Sequence, residues 1–490
     1  MFVSHLRDNS INGVALSPAV GALIAGAGMV SLLATYWDDA WHTELGRDSA
    51  TIPPHLLLYG SVAVAGLMVA GWGLRVLVAT RSPRVLLRQP PVVLAGVGGV
   101  ATLAAAPIDA AWHAQFGRDA VLWSPPHMLV VFAATTMTIG VLSGLRPTRS
   151  GVTESALTGL LLGGLMVAVM EYESDVPQFS EIFYLPVLLV AGLLAALLAR
   201  RLVPVRAPVT AMVASYVGLR LVIAGALALL GRSGPDLPIA IVGLALVDLP
   251  WRSPLPRYGA GAAAVAMLAW GAAALGLGRE PASAVAMVAA PVAVICAVAL
   301  LASSRRTRPI AYLAVITAAS AGLLLGSALP AAAHDPGQGQ PLSTPRLTGT
   351  SDGHGTLTLS LDLAGGCDQI SAVGLLARRA GQTITGPLTA LGGCRYAGTV
   401  AVPAQGRWFV YAELRDHARP AETWLPLQAD QPGGRTETRE LYLPAWPTAT
   451  GRPTEIGTGA AIYTLGLLLL ALAIRHALRR AQPVPPGVTG

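Results

Sequence analysis

Two stretches of the sequence combine one aspartate with two histidines at nearly the same spacing. The two sets are Asp38, His42 and His55, and Asp109, His113 and His127. In each stretch an Asp-x-x-Trp-His sequence precedes Gly-Arg-Asp and then Pro-Pro-His, and the second copy has one extra residue before its Pro-Pro-His. Chance does not produce this many matches, so the pattern indicates an internal duplication of a two-helix unit.

The spacing of these residues predicts that their side chains converge. Asp38 and His42 are four residues apart, as are Asp109 and His113, so a helix places each pair on one face. The following Pro-Pro pair is tolerated in a first helical turn, which puts the last histidine at the beginning of the next helix. One carboxylate and two imidazoles would then form a three-ligand metal site with open coordination positions.

Neighbouring charges are expected to orient the metal ligands through ion pairs. These residues are Arg47 and Asp48 in the first copy, and Arg118 and Asp119 in the second. The alternative interpretation is that the His and Trp side chains only anchor helix ends at a membrane surface. Four of the nine histidines occur in the two motifs, and none lies between residues 128 and 333, which favours metal binding. Copper, zinc and iron all accept this ligand set.

The composition indicates which elements must position these residues. The 490 residues are 53% hydrophobic and 12% charged, about half the charge of a soluble protein. This excludes a cytosolic enzyme, a disordered protein and a small disulfide scaffold, and it indicates a polytopic membrane protein. All 33 basic residues are arginines, which we interpret as orientation signals in cytoplasmic loops rather than as a nucleic-acid-binding surface.

The apolar runs predict about 12 transmembrane helices, most of them close to the roughly 20 residues that a bilayer requires. They are residues 14–37, 55–80, 91–108, 126–145, 156–172, 182–199, 207–230, 237–249, 258–278, 283–302, 309–333 and 456–476. Every second connection is rich in arginine and the alternate ones are acidic or mixed. This predicts cytoplasmic termini and outward-facing motifs in a bacterial plasma membrane. The first run is expected to be a retained anchor, because it begins too far from the N-terminus for a signal peptide.

The region 334–453 is polar and is predicted to be an extracytoplasmic antiparallel β-sandwich inserted before the last helix. Expected strands are residues 355–363, 370–376, 396–402, 407–414, 422–427 and 436–443. The first of them alternates polar and apolar residues, as half-buried strands do. Cys367 and Cys394 are expected to form a disulfide rather than a metal site.

The predicted domain organisation therefore has four parts. They are a duplicated four-helix metal-binding unit (1–150), further helices (151–333), the β domain (334–453) and a final helix with a cytoplasmic tail (454–490). Within the β domain, the three histidines either form a copper site or are ordinary surface residues; they are His334, His354 and His417. Cleavage before His334 is not favoured, because it would separate the domain from eleven predicted helices.

The helical part contains two further features with charged residues, an acidic run and a single arginine inside a helix. The acidic run of Glu171, Glu173, Asp175 and Glu181 is typical of a solvated loop, the alternative being a third motif that has lost its histidines. Arg220 lies inside a predicted helix, where a charge is usually functional or paired.

The pattern Asp-x-x-x-His, with a further His thirteen residues later, resembles the C subunit of the particulate methane and ammonia monooxygenases. In that family the Asp and both His bind copper among membrane helices. The resemblance covers about residues 20–145 and implies copper binding by Asp38, His42 and His55, and by Asp109, His113 and His127 with one residue added. The family has one such motif, fewer spans and no fused β domain. Residues 406–414 also resemble a late strand of small Ig-like periplasmic domains associated with copper.

These observations lead to three hypotheses for the function. The first is a membrane protein that handles copper at the outer face, for acquisition or for delivery to a cuproenzyme. The second is a component of a copper-dependent membrane monooxygenase, whose activity in the family depends on partner subunits. The third is an assembly or accessory subunit of a respiratory complex, with the motifs serving as helix anchors. The lipid bilayer is the common partner, together with other membrane subunits or a cuproenzyme, and whether the chain is an enzyme stays open.

Overall fold

The protein combines apolar helices with an antiparallel β domain near the C-terminus. The computed structural model describes residues 15–45, 51–116, 122–148, 150–177, 179–232, 234–275, 338–444 and 451–480. Eight helices in these ranges are long and apolar enough to cross a membrane. The predicted fold class is confirmed in its coarser form, as long apolar helices with a separate antiparallel β domain before the last helix.

The helices of the described ranges are numbered in chain order. They are α1 (Pro18–Leu45), α2 (Pro53–Thr80), α3 (Pro83–Leu87), α4 (Pro90–Phe116), α5 (Pro125–Gly144), α6 (Val152–Met166), α7 (Met170–Glu173), α8 (Tyr184–Leu202), α9 (Pro208–Leu229), α10 (Pro254–Ala274) and α11 (Gly451–Arg479). Short 3-10 turns precede α7 and α8. A longer 3-10 helix, Ile239–Asp248, lies between α9 and α10.

The predicted count of about twelve transmembrane helices is not supported. The runs 283–302 and 309–333 lie outside the described residues. The run 237–249 forms the ten-residue 3-10 helix, which is shorter than a membrane-spanning α-helix. Helix α10 is long enough but is not among the eight, because the mean hydropathy of this alanine- and glycine-rich helix is too low.

The helices alternate in direction, so the connections fall at two ends of the bundle. We call the end where α1 ends and α2 begins the site end, because both Asp/His/His motifs lie there. At the opposite end, Leu16 N donates to Gly144 O, and Arg480 donates to Ser143 O. The arginine-rich connections that follow α2, α5 and α8 lie at this opposite end. The arginine-rich connections therefore lie at one end of the bundle, as the alternation of basic and acidic connections along the sequence predicts.

Helices α4 and α5, which carry the second motif, pack backbone against backbone through two glycines. A Cβ atom added at Gly140 would lie 2.4 Å from the Ala95 N atom, and one added at Gly98 would lie 2.6 Å from the Met137 N atom. These distances are too short for any side chain. The two glycines therefore fix how closely the two helices approach.

The β domain contains eleven strands in two antiparallel sheets. They are β1 (Gln338–Ser343), β2 (Arg346–Asp352), β3 (Thr356–Asp362), β4 (Ile370–Arg379), β5 (Gln382–Gly386), β6 (Leu388–Gly392), β7 (Arg395–Ala401), β8 (Arg407–Asp416), β9 (Arg419–Gln428), β10 (Pro432–Thr438) and β11 (Leu441–Pro444). One sheet has the order β1-β11-β9-β8-β4-β5, and the other β10-β2-β3-β7-β6. Leucines of β3 and Trp408 of β8 are buried between them.

The predicted strands are largely confirmed, with two corrections. The prediction 436–443 is wrong as a single strand, because Arg439 and Glu440 separate β10 from β11, which belong to different sheets. Strands β1, β2, β5 and β6 are absent from the predicted strands, since each is short and contains glycine, which is depleted in strands. The predicted disulfide between Cys367 and Cys394 is present, with the two Cα atoms 5.4 Å apart.

Candidate metal centres

The first centre, which we call site 1, brings together Asp38, His42 and His55. The Nε2 atom of His55 lies 3.1 Å from Asp38 Oδ1, and the Nε2 atom of His42 lies 3.6 Å from Asp38 Oδ2. The two imidazole rings are 6.2 Å apart between centroids. One face of His55 lies against the Tyr59 ring, at 5.7 Å. The side chains are 18–35% exposed, so the centre is accessible at the rim of the helices.

The second centre, site 2, repeats this arrangement with Asp109, His113 and His127. The Nε2 atoms of both histidines lie 3.3 Å from the same oxygen, Asp109 Oδ1. Their ring centroids are 6.0 Å apart. In each site one donor atom from each of the three residues lies within 4.8 Å of the others. The duplication seen in the sequence is therefore also a duplication of geometry.

The local fold explains why each site forms. Helix α1 continues to Leu45, beyond the predicted end at residue 37, so Asp38 and His42 both lie on helical backbone. Helix α2 begins with Pro53 and Pro54 after an extended residue, which makes His55 the third residue of the helix. Helices α4 and α5 repeat this arrangement around Pro125 and Pro126.

The donor set suits a cation. In both sites the aspartate Oδ1 atom is buried and accepts no hydrogen bond of good geometry from the described residues, although an imidazole nitrogen lies close by. A bound metal ion would satisfy this oxygen and both Nε2 atoms together. Two nitrogens and one carboxylate oxygen leave coordination positions open.

The surroundings of the two sites differ. Beside site 1, the Arg232 guanidinium lies 5.4 Å from the Trp41 ring centroid and 3.4 Å from the Glu44 carboxylate. Beside site 2, the Trp112 ring packs against Phe116 at 4.6 Å and meets the backbone of α11 near Gly459. Site 1 is thus flanked by charged groups and site 2 by apolar ones.

Several predicted site residues lie outside the described residues. They are Arg47, Asp48, Arg118, Asp119 and His334. The remaining histidines of the proposed β-domain copper site are not brought together. His354 lies in the turn between β2 and β3, near the start of β8, whereas His417 follows the end of β8. A ten-residue strand separates them by about 30 Å, so these two residues form no common site.

The interpretation of the acidic run as a solvated loop is wrong. Glu171, Glu173 and Asp175 are 1–4% exposed. Glu173 accepts a hydrogen bond from Arg220, with 2.8 Å between Oε2 and Nη1, which identifies the partner that the sequence did not reveal. Arg220 also donates to the Tyr36 and Tyr216 hydroxyls and to the Asp236 carbonyl. The sequence signals for this network are the acidic run and the arginine inside a predicted helix.

Asp175 and its neighbours join the helices to the β domain. Asp175 Oδ1 lies 3.1 Å from Arg379 Nη2, and its Oδ2 atom accepts a hydrogen bond from Arg407 N at 3.1 Å. Arg379 also pairs with Glu181 at 2.9 Å. Burial raises the pKa of the Glu181 carboxyl above its ordinary value, and the Arg379 guanidinium offsets part of this rise. A second contact is made by Arg439, which donates to the Glu44 carbonyl at the end of α1.

Comparisons with known protein-family models, with curated proteins and with solved structures found no match for this chain. The resemblance to the monooxygenase C subunit therefore rests on the motif residues alone. Conclusions about function must come from the geometry of the two sites.

Proposed function

We propose that the protein is an integral membrane protein that binds copper at two Asp/His/His sites and handles it at the outer face of a bacterial plasma membrane. In this proposal both termini are cytoplasmic and the β domain is extracytoplasmic. The protein acquires copper or delivers it to a cuproenzyme. The observation that carries the proposal is the duplicated set of donor atoms, each within 4.8 Å of one another.

Two further features support copper handling over simple helix anchoring. An anchoring role requires only that Trp and His side chains lie near the membrane surface. It does not require one aspartate oxygen to lie between two imidazole nitrogens, as Asp109 Oδ1 does at 3.3 Å from each. The partial exposure of both sites allows a cation to enter and leave. The motif's resemblance to a copper-binding family favours copper over zinc or iron.

Elemental analysis of the purified full-length protein tests the proposal. At these two sites together we expect about two equivalents of copper per chain after loading, and about one in either His42→Ala or His113→Ala. The double variant is expected to bind none at these sites. Mutation of His476, which lies on α11 at the opposite end of the bundle, is a matched control and leaves the copper content unchanged. A wild-type protein that cannot be loaded with metal would refute the proposal.

A second candidate function, a component of a copper-dependent membrane monooxygenase, is favoured by the open coordination positions beside apolar helices. Oxygen-dependent formation of a hydroxylated product from a small apolar substrate, lost in the same histidine variants, would support it. Copper binding without such turnover in the presence of candidate partner subunits would leave copper handling as the function. Intact complex formation and unchanged metal content in His42→Ala/His113→Ala would instead favour the respiratory assembly role.

A further inference from the structure

Glu171 lies in the protein interior between the two metal centres. Its side chain is 1% exposed, and it belongs to the short helix α7. Its Oε1 atom accepts a hydrogen bond from Leu122 N, in the segment that leads to His127 of site 2. Among ionisable side chains Asp39 acts on it most strongly, followed by His127 and His42. The carboxylate is therefore within electrostatic range of both sites.

The second oxygen of this carboxylate has no partner. Glu171 Oε2 is buried and accepts no hydrogen bond from any described residue. No arginine or histidine of the described residues forms an ion pair with Glu171, unlike Glu173, which pairs with Arg220. A buried carboxylate without a compensating positive group is strongly unfavourable. A bound cation would compensate the negative charge on this oxygen.

Asp39 supplies a second carboxylate, which lies close enough to Glu171 to repel it. It follows the site 1 ligand Asp38 on α1, and its Oδ2 atom accepts a hydrogen bond from Ser174 Oγ at 3.0 Å. Ser174 follows helix α7, so one short segment contacts both the site 2 loop and the site 1 helix. Two carboxylates that repel each other in the interior require either a shared proton or a cation between them.

We propose that Glu171 and Asp39 form a third cation-binding position between site 1 and site 2. Carboxylate and hydroxyl oxygens from Glu171, Asp39 and Ser174 suit a divalent ion better than a soft monovalent ion such as Cu⁺. The identity of the cargo rests on the proposed function. The position itself rests on the unpartnered Glu171 oxygen and on its place between the two centres.

The test is equilibrium dialysis of the full-length protein against Zn²⁺, a redox-silent probe, followed by elemental analysis. We expect three equivalents per wild-type chain, the third binding more weakly, and two in Glu171→Gln. Glutamine keeps an acceptor for Leu122 N, so the fold is expected to be retained. Asp39→Asn tests the same position from α1 and keeps an acceptor for Ser174. It is also expected to lose one equivalent of zinc.

Glu154→Gln is the matched control, because Glu154 is also buried but bonds to Thr148 at the opposite end of the bundle. It is expected to bind three equivalents. Two equivalents in both wild type and Glu171→Gln would overturn this inference and leave the proposed function intact. A variant that falls to one equivalent would show that its residue supports a neighbouring centre, which also overturns the inference. A wild-type chain without bound zinc or copper would refute both proposals.

Discussion

The Nε2 atom of His55 lies 3.1 Å from Asp38 Oδ1, although one residue begins α2 and the other lies near the end of α1. The same carboxylate faces His42 through its other oxygen. Asp38 is therefore the residue that joins the two helices at site 1. Asp109 has the same role at site 2, where a single oxygen faces both imidazoles.

Replacing this shared carboxylate is expected to disable one site and spare the other. In Asp38→Asn the charge that favours a cation is lost, so the affinity of site 1 for metal should fall by more than the roughly 10–100-fold typical of an outer-shell partner. Competition against a chelator measures this affinity. Asp109→Asn is the matched control, in which site 2 should lose affinity and site 1 should keep it. Loss of metal from both sites in either variant would show that the two sites are not independent.

Removal of one partner from the buried pair of Arg220 and Glu173 is expected to destabilise the helical part strongly. Both side chains are almost fully buried, so removing one partner leaves an uncompensated charge and should cost about 3–5 kcal/mol of unfolding free energy. We therefore expect Arg220→Met to lower thermal stability strongly. The double variant Arg220→Met/Glu173→Gln should recover much of the loss. Equal destabilisation by the single and double variants would argue against a paired charge.

The close approach of α4 and α5 is expected to make Gly140 intolerant of any side chain. A Cβ atom there would meet the Ala95 backbone at 2.4 Å, so Gly140→Ala should cost about 1–3 kcal/mol through overpacking. The displaced helices carry Asp109 and His127, so metal binding at site 2 should weaken while site 1 is retained. Gly60→Ala is the control, because no atom lies within 4 Å of its added Cβ. Thermal unfolding and the metal content of each site measure the outcome.

The contact between Glu181 and Arg379 predicts a pH dependence. Burial raises the pKa of Glu181 above the model-compound value of 4.5. The folded state therefore binds this proton more tightly than the unfolded state, and the contribution of the neutral carboxyl is lost as the pH rises through the raised pKa. Relative to Glu181→Gln, the wild type should become progressively less stable as the pH rises from about 4.5 through the raised pKa. Thermal unfolding at several pH values measures this, and a constant difference would show that Arg379 compensates fully for burial.

The sites and the β domain could be predicted because their signals are local. Four-residue spacing and a Pro-Pro pair place Asp38, His42 and His55 through helix geometry alone. Alternation of polar and apolar residues predicts β3 in the same way. Each of these predictions depends only on residues that lie close together in the sequence.

The acidic segment was misinterpreted because its partners are distant in the sequence. Asp175 meets Arg379 and Arg407, which follow more than two hundred residues later. A local pattern carries no information about such contacts, and by itself an acidic run predicts a solvated loop. The prediction of a membrane-spanning helix over residues 237–249 fails for another reason, because hydropathy does not distinguish a ten-residue 3-10 helix from a membrane-spanning α-helix.

The bonds from Asp175 to the β domain have a consequence for how the chain matures. The ribosome synthesises the segment containing Asp175 long before it reaches Arg379 and Arg407. The Asp175 carboxylate therefore cannot form these two contacts during early synthesis. The contacts of Asp175 with the β domain can therefore form only in a docking step after β4 and β8 have been made. Until docking occurs, the Asp175 carboxylate lacks the Arg379 and Arg407 contacts of the mature protein. Metal loading before that moment would take place at a different electrostatic potential from loading of the mature protein.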